Sequence, residues 1–289
     1  MLISEHSTAA LQEALASGQK DIYCQGLFLS ARWFVLSAAR GAGMSLVVLP
    51  DKESAEYCAA DLYNLTEGDK VFYLPDSGKN AVRSNYKSSL GVQRTSAIGK
   101  IRTFEPGTVI VSYPEALEER LPSSSDALSP LLSLKAGDEI SHDEISSILS
   151  EAGFENVDFV SEPGQYTLRG GVVDIFSYSF NYPFRLSLFG NEIEKIYTFD
   201  TNTQLSKESV DKVEIYGDMA SDSDTEGLFI SDILPEDCIV WLDSSDSYRE
   251  REFFSRLSPF RKIYLETPLS AMKASPIRFD ISPQPAFNK

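Results

Sequence analysis

The chain has 289 residues, 42% of them hydrophobic and 24% charged, with a formal net charge of −17. That length allows two domains of ordinary size. The acidity excludes a chain-wide nucleic-acid surface, because duplex binding neutralises phosphates with Lys and Arg. No apolar run approaches the roughly 18 residues of a membrane span. "MLISEHSTAALQEAL" also lacks the basic and apolar regions of a secretory signal, so the chain reads as cytoplasmic.

The first third alternates helix and strand. "STAALQEALASG" reads as a capped helix, "DIYCQGLF" as a short strand, "SARWFVLSAARGAG" as an apolar helix closed by glycines and "MSLVVLP" as a buried strand. The helix "DKESAEYCAADLYNL", the strand "KVFYLP" and the strand and turn "TVIVSYPEAL" follow. Such alternation predicts a parallel sheet covered on both faces. The Ser/Pro-rich "LPSSSDALSPLL" marks a boundary.

Beyond that boundary one helix, "SHDEISSILSEAGF", precedes the strands "VDFV", "YTLRGGVVDIF", "FRLSLF" and "EIEKIYTF". Short turns between strands predict an α+β domain with an antiparallel sheet. Ser141 and Glu144 have capping-box spacing, which makes His142 a first-turn residue. From about 210 the α/β pattern resumes, with "DCIVWLD" as a buried strand and "SYREREFFSRL" as a helix. The polar, Pro-rich tail reads as a cut in a longer chain.

Cys24, Cys58 and Cys238 have no C-x-x-C spacing, and His6 and His142 are the only histidines. This pattern argues against a disulfide framework and against zinc, leaving free, buried thiols. Charge is uneven along the chain. Lys79, Arg83, Lys87, Arg94, Lys100 and Arg102 fall in 77–104 without an acid, while 213–248 carries ten acids and no Lys or Arg. Both runs read as solvated faces or as docking faces for a partner of opposite charge.

An α/β nucleotide-binding domain would place its phosphate loop at "YCQGLFLSARWFVL". The working motif G-x-x-x-x-G-K-[ST] supplies backbone clearance, a lysine on the phosphates and a hydroxyl on magnesium. In register the chain offers Gly26, Ala31, Arg32 and Trp33, a degenerate and non-functional loop. Asp243, at the end of "CIVWLD", is followed by Ser244 and Ser245 rather than by a glutamate. Nothing here argues for catalysis, a cofactor or a metal.

Period two along "FRLSLF" puts Phe184, Leu186 and Leu188 on one face and Arg185, Ser187 and Phe189 on the other. With the leucines in the core, Arg185 and Phe189 project outward about 13 Å apart. An exposed aromatic beside an arginine is the pairing enriched at interface hot spots. Gly170-Gly171 predicts a bulge or close backbone approach that would re-aim Arg169.

"GQYTLRGGVVDIFSYSFNYPFRLSLFGNEIEKIYTFDTNTQLS" (164–206) resembles the signature of the transcription-repair coupling factor (Mfd) family. Its pattern is an R-G-G-[IV]-[IV]-D-[IV]-F strand, a P-x-R-[IL]-x-x-F strand, then G-x-E-I-E-x-I-x-x-F-D and a Q-x-S end. Ser177 departs from the proline common after D-[IV]-F. "VFYLPDSGKN…QRTSAIGKI" and "TVIVSYPEAL" fit the same family more loosely.

The resemblance implies a UvrB-like module. A degenerate P-loop, helicase-like parallel-sheet body would be formed by 1–122 (domain 1a) and 211–289 (domain 1b), with an inserted α+β domain at 123–210 (domain 2). By motif position, the family's UvrA-binding residues fall on Arg169, Arg185 and Phe189. RNA polymerase, DNA and the ATP-driven translocase motor are expected to engage through domains absent from this chain. The competing expectations are a UvrB-type ATP-binding helicase fragment acting in damage recognition, or an autoinhibitory clamp on the coupling factor's motor.

Overall fold

The computed structural model describes residues 2–3, 5–27, 30–39, 43–66, 70–77, 84–121, 129–180, 182–219, 227–243, 248–266, 272 and 274–282. The boundary stretch 122–128, Lys79, Arg83, Asp222, Asp224, Glu226, Ser244, Ser245, Asp246, the tail from 283 and the Lys87 side chain lie outside the described residues.

The chain opens with β1 (Leu2–Ile3), α1 (Glu5–Ala16), β2 (Asp21–Gln25), α2 (Ala31–Ala39), β3 (Ser45–Val48) and α3 (Lys52–Leu65). It continues through β4 (Val71–Tyr73), α4 (Ser84–Thr103), β5 (Val109–Ser112) and α5 (Pro114–Glu118). The middle holds β6 (Leu132–Lys135), α6 (His142–Glu151), β7 (Glu155–Asn156), β8 (Gln165–Arg169) and β9 (Val172–Phe176). Next come β10 (Phe184–Phe189), β11 (Glu192–Phe199), β12 (Ser206–Val210) and β13 (Lys212–Ile215). The last elements are α7 (Ile230–Ile233), β14 (Ile239–Asp243), α8 (Glu252–Arg256), β15 (Arg261–Leu265), β16 (Ile277–Arg278) and β17 (Ile281–Ser282). No helix among the described residues is long and apolar enough to cross a membrane.

Two compact units divide the chain: Met1–Asp76 with Lys100–Arg120 and Phe229–Lys289, and Ser77–Gly99 with Leu121–Leu228. This division differs from boundaries at 122 and 210. Residues 211–228 lie with the inserted unit because β13 pairs antiparallel with β6, Val213 opposite Leu134 and Ile215 opposite Leu132. Residues 77–99 join it too, and the Met219 amide donates to Thr95 Oγ1 at 3.1 Å.

The first unit is built on a seven-stranded sheet in the order β16-β2-β15-β14-β3-β5-β4. Every neighbouring pair in it is parallel. β3, β5 and β14 are buried at every residue, as strands covered on both faces must be. Trp33 and Leu36 of α2 pack on Val47, Val111, Trp241 and Ile263 in the core. Asp51 caps α3 by accepting from the Ser54 amide at 2.8 Å, satisfying one of the donors a helix start leaves open. β15, between β2 and β14, was not visible in the sequence. It opens on Arg261-Lys262, and Lys262 is buried with its ammonium donating to the Phe260 carbonyl at 3.0 Å.

The second unit holds a six-stranded sheet ordered β12-β11-β10-β9-β8-β7, antiparallel except for β7 and β8. Its inner face carries Val173, Ile175, Leu186, Leu188 and Ile196, and α6 adds Ile145 and Leu149 to the same core. Ser141 caps α6, accepting from the Glu144 amide at 3.2 Å. The Tyr166 hydroxyl ties α6 to the sheet through Ser146 and Ser150, at 3.0 and 2.7 Å.

Three local expectations are corrected here. "YTLRGGVVDIF" is two strands: β8 ends at Arg169, β9 starts at Val172, and the two residues pair across a Gly170-Gly171 hairpin turn. Gly170 takes φ +57°, a left-handed value natural to glycine in tight turns. Close approach does hold at Gly171, where a Cβ would stand 2.7 Å from the Leu188 carbonyl oxygen. "VDFV" is irregular rather than a strand, since Val157 and Val160 both pack against Phe176 and Phe199. The helix expected over "SYREREFFSRL" is confined to α8. Ser177, in place of the resembled pattern's proline, is buried and accepts from the Tyr216 amide at 2.9 Å.

Candidate interaction face

β10 alternates as its sequence requires. Phe184, Leu186 and Leu188 are buried on the inner face, and Phe189 is 76% exposed. Between Ser187 and Leu188 the ladder with β11 slips, Ser187 facing Lys195 and Leu188 facing Ile193. The extra residue on β11 is Glu194, a one-residue bulge that keeps Ile193 in the core.

The outer face brings together two of the expected arginines through a residue that sequence reasoning missed. Asp174 stands directly opposite Arg185 in register and opposite Thr167 on β8. Its carboxylate is fully buried and accepts from Arg185 Nε at 2.7 Å and from Arg185 Nη2 at 2.8 Å. It also accepts from Arg169 Nη2 at 3.0 Å. A charge taken out of water survives only when paired and hydrogen-bonded, and three N–H donors meet that condition. The bonded Asp174 carboxylate in turn raises the Arg185 pKa above its ordinary value.

Arg185 therefore does not project freely. Its side chain is 19% exposed, its third donor, Nη1, reaches the Gln204 carbonyl at 2.9 Å, and its guanidinium lies 4.6 Å from the Phe199 ring centre. Arg169 is 41% exposed and stacks 5.0 Å from the ring centre of Phe159, itself 62% exposed. Leu205 is exposed at the start of the β12 arm.

Gln204 adopts φ +59°, a strained setting for a residue with a side chain. Its amide holds it there by donating to the Thr201 and Val160 carbonyls at 2.8 and 3.1 Å. Asp200 braces the same turn, accepting from the Asn202 and Thr203 amides at 3.0 Å and pairing with Lys207 at 2.8 Å. An isolated acid inside the apolar run "VVDIF" was the one available signal for Asp174. Phe159 and Gln204 gave none.

The phosphate-loop positions have other occupations. Gly26 has φ +83°, and a Cβ there would stand 2.2 Å from the Phe279 carbonyl oxygen, so the approach of β16 already demands the glycine. Ala31 and Trp33 are buried in the core. Arg32 forms an ion pair and hydrogen bond with the Asp243 carboxylate, and its guanidinium lies 4.9 Å from the Trp33 ring centre. A cavity of about 240 Å³ lies over these residues, lined also by Ser30, Tyr57 and Asp61. Ser30 Oγ donates to Asp61 at 3.0 Å. With one arginine spent on one of two lining carboxylates, the cavity is poorly suited to polyphosphate.

Among the described residues the two charge runs are only partly paired within the fold. Arg94 is buried, Lys100 pairs with Glu105, and Arg102 is exposed. On the acidic side Glu214 pairs with Lys212 and Asp232 accepts from the Phe229 amide at the start of α7. The thiols of Cys24, Cys58 and Cys238 are all buried, and burial pushes Cys24 and Cys238 up to about 12.

Residues 132–220 match the family described as the UvrB interaction domain. That span contains the whole outer face just described. The chain is 30% identical over 207 residues to the transcription-repair-coupling factor of Bacillus subtilis, covering 70% of this chain and 17% of that relative. It is 38% identical over 201 residues to that of Staphylococcus aureus (strain USA300), covering 68% and 17%. The factor from Escherichia coli is 27% identical over 186 residues, covering 62% and 15%. The chain thus spans under a fifth of the length of these curated relatives. Residues 132–220 are thus similar to the UvrB interaction domain, within a chain similar over most of its length to transcription-repair-coupling factors.

Proposed function

We propose that this chain is the UvrA-recruiting module of a transcription-repair coupling factor, which links stalled RNA polymerase to nucleotide excision repair. Arg169, Arg185 and Phe189 are its UvrA-binding residues. Contacts to RNA polymerase and DNA belong to other regions of the full protein, and so does ATP hydrolysis. The observation that supports the reading is a solvent-facing sheet surface inside the UvrB interaction domain that combines an arginine pair with the exposed Phe159 and Phe189. Arginine and large aromatics are the residue types that dominate interface energetics.

The alternative of a UvrB-type ATP-binding helicase fragment is disfavoured by the Arg32–Asp243 pair and by the burial of Trp33. Calorimetric titration of the chain with purified UvrA tests the proposal. Saturable heat that disappears in Phe189→Ala supports it, and absence of binding by the folded wild-type chain overturns it.

A further inference from the structure

We propose that Asp174 is a positioning residue for partner recognition, holding both arginine side chains in place before the partner arrives. The inference rests on the UvrA-recruiting reading above. It arises from a feature that reading does not need: a fully buried carboxylate directed at the face that carries the contact residues rather than at the core.

The geometry divides the labour between the two arginines. Arg185 places Nε and Nη2 on Asp174 and Nη1 on the Gln204 carbonyl, and it is mostly covered. A guanidinium has five N–H donors in a rigid fork, so three directions of Arg185 are fixed internally. Arg169 gives only Nη2 to Asp174 and remains substantially exposed, leaving N–H donors for an incoming acceptor. Phe159 supports its guanidinium from the neighbouring segment. A carboxylate or carbonyl group on the partner fits that donor set.

Arginine carries large rotamer entropy, and ordering such a side chain at the moment of binding weakens association. Asp174 shifts that ordering to the folding step. It also lowers the combined charge of the Asp174–Arg169–Arg185 cluster from +2 to +1, which limits repulsion between two guanidiniums that share one carboxylate. Asp174→Asn preserves size but loses the charge, and it replaces one acceptor oxygen with an NH₂ group facing arginine donors. Both arginines are then present but unlocked.

The experiment compares wild type and Asp174→Asn by calorimetric titration against UvrA, together with ¹⁵N NMR of the free chains that resolves arginine Nε–H signals. Affinity is expected to fall on the order of tenfold or more. The Arg185 Nε–H is expected to pass from slow to fast solvent exchange, with amide shifts of the inner-face strands unchanged. Unchanged affinity overturns the positioning role while the recruiting reading stands. Affinity lost together with displaced inner-face amides also overturns it, because Asp174 would then act only on the fold. A wild-type chain that does not bind UvrA removes the recruiting reading and this inference with it. Should Asp174→Asn not fold, the wild-type spectrum still decides: an Arg185 Nε–H in fast exchange in the free protein overturns the proposal.

Discussion

The guanidinium of Arg32 rests on the carboxylate of Asp243, at the C-terminal end of a central parallel strand. These are the positions where a phosphate-binding loop would need a lysine and a magnesium-side acid. Here the two side chains pair with each other. Titration with ATP and magnesium is therefore expected to give no binding heat, and micromolar affinity would sink that expectation. Arg32→Ala is expected to lower unfolding stability by about 2 kcal/mol, since breaking a mostly buried pair strands the remaining charge. Denaturant melts measure it.

Phe189→Ala and Arg169→Ala are expected to weaken UvrA binding by about 2 kcal/mol or more if these residues are central anchors. The melting temperature of Phe189→Ala should match wild type, while that of Arg169→Ala should fall, though less than for Arg185→Ala, because it removes one of the three donors on buried Asp174. Arg185→Ala is expected to lose binding and also to melt earlier, by roughly 2–4 kcal/mol of stability, because it removes two of the three donors on buried Asp174. An Arg185→Ala protein as stable as wild type would show that Asp174 does not depend on its partner.

Asp200 gives a pH signature. Hydrogen bonding to Lys207, then to the Thr203 and Asn202 amides, holds its carboxyl well below the usual carboxylate range. A depressed folded value means that its contribution is complete above the unfolded value of about 3.9 and is lost as pH falls through the folded one. The stability difference between wild type and Asp200→Asn should be constant from neutral pH down to about 5 and shrink only in stronger acid. A difference that already fades between pH 7 and 6 would contradict the bracing of the Gln204 turn.

The three thiols should be silent in the native protein. Burial raises Cys24 and Cys238 to about 12 and raises Cys58 as well, and thiolate is the reactive form. At pH 8 a thiol reagent such as Ellman's should register nothing before unfolding and all three after. Fast labelling of the native chain would mean that one of them becomes exposed.

Sequence pattern revealed which way side chains face, but not how deeply they sit. Alternation in "FRLSLF" assigned the leucines to the core and Arg185 with Phe189 to the opposite face, as the sheet has them. It could not show that Arg185 lies beneath that surface, because depth depends on what stands opposite, and Asp174 comes from another strand. Apolar continuity found β3, β5 and β14, whereas β15 escaped because its first two residues are charged. "VDFV" misled for a related reason. Val157 and Val160, three apart, both turn to the sheet, a spacing that no strand period produces.

The order of the parallel sheet sets a condition on how the chain can be cut. β2 has β15 on one side and β16 on the other, and β14 stands between β15 and β3. The first 120 residues therefore contain β2 and the β3-β5-β4 block but none of the strands that join them. They cannot close a sheet until residues 239–265 have been made. During synthesis β6 to β13 emerge earlier, from one continuous stretch, and can pair while the parallel sheet still waits for its middle strands. A shortened chain for binding studies should start from residues 129–219 together with the 84–99 segment. One that stops soon after residue 122 would leave β2 without a neighbour.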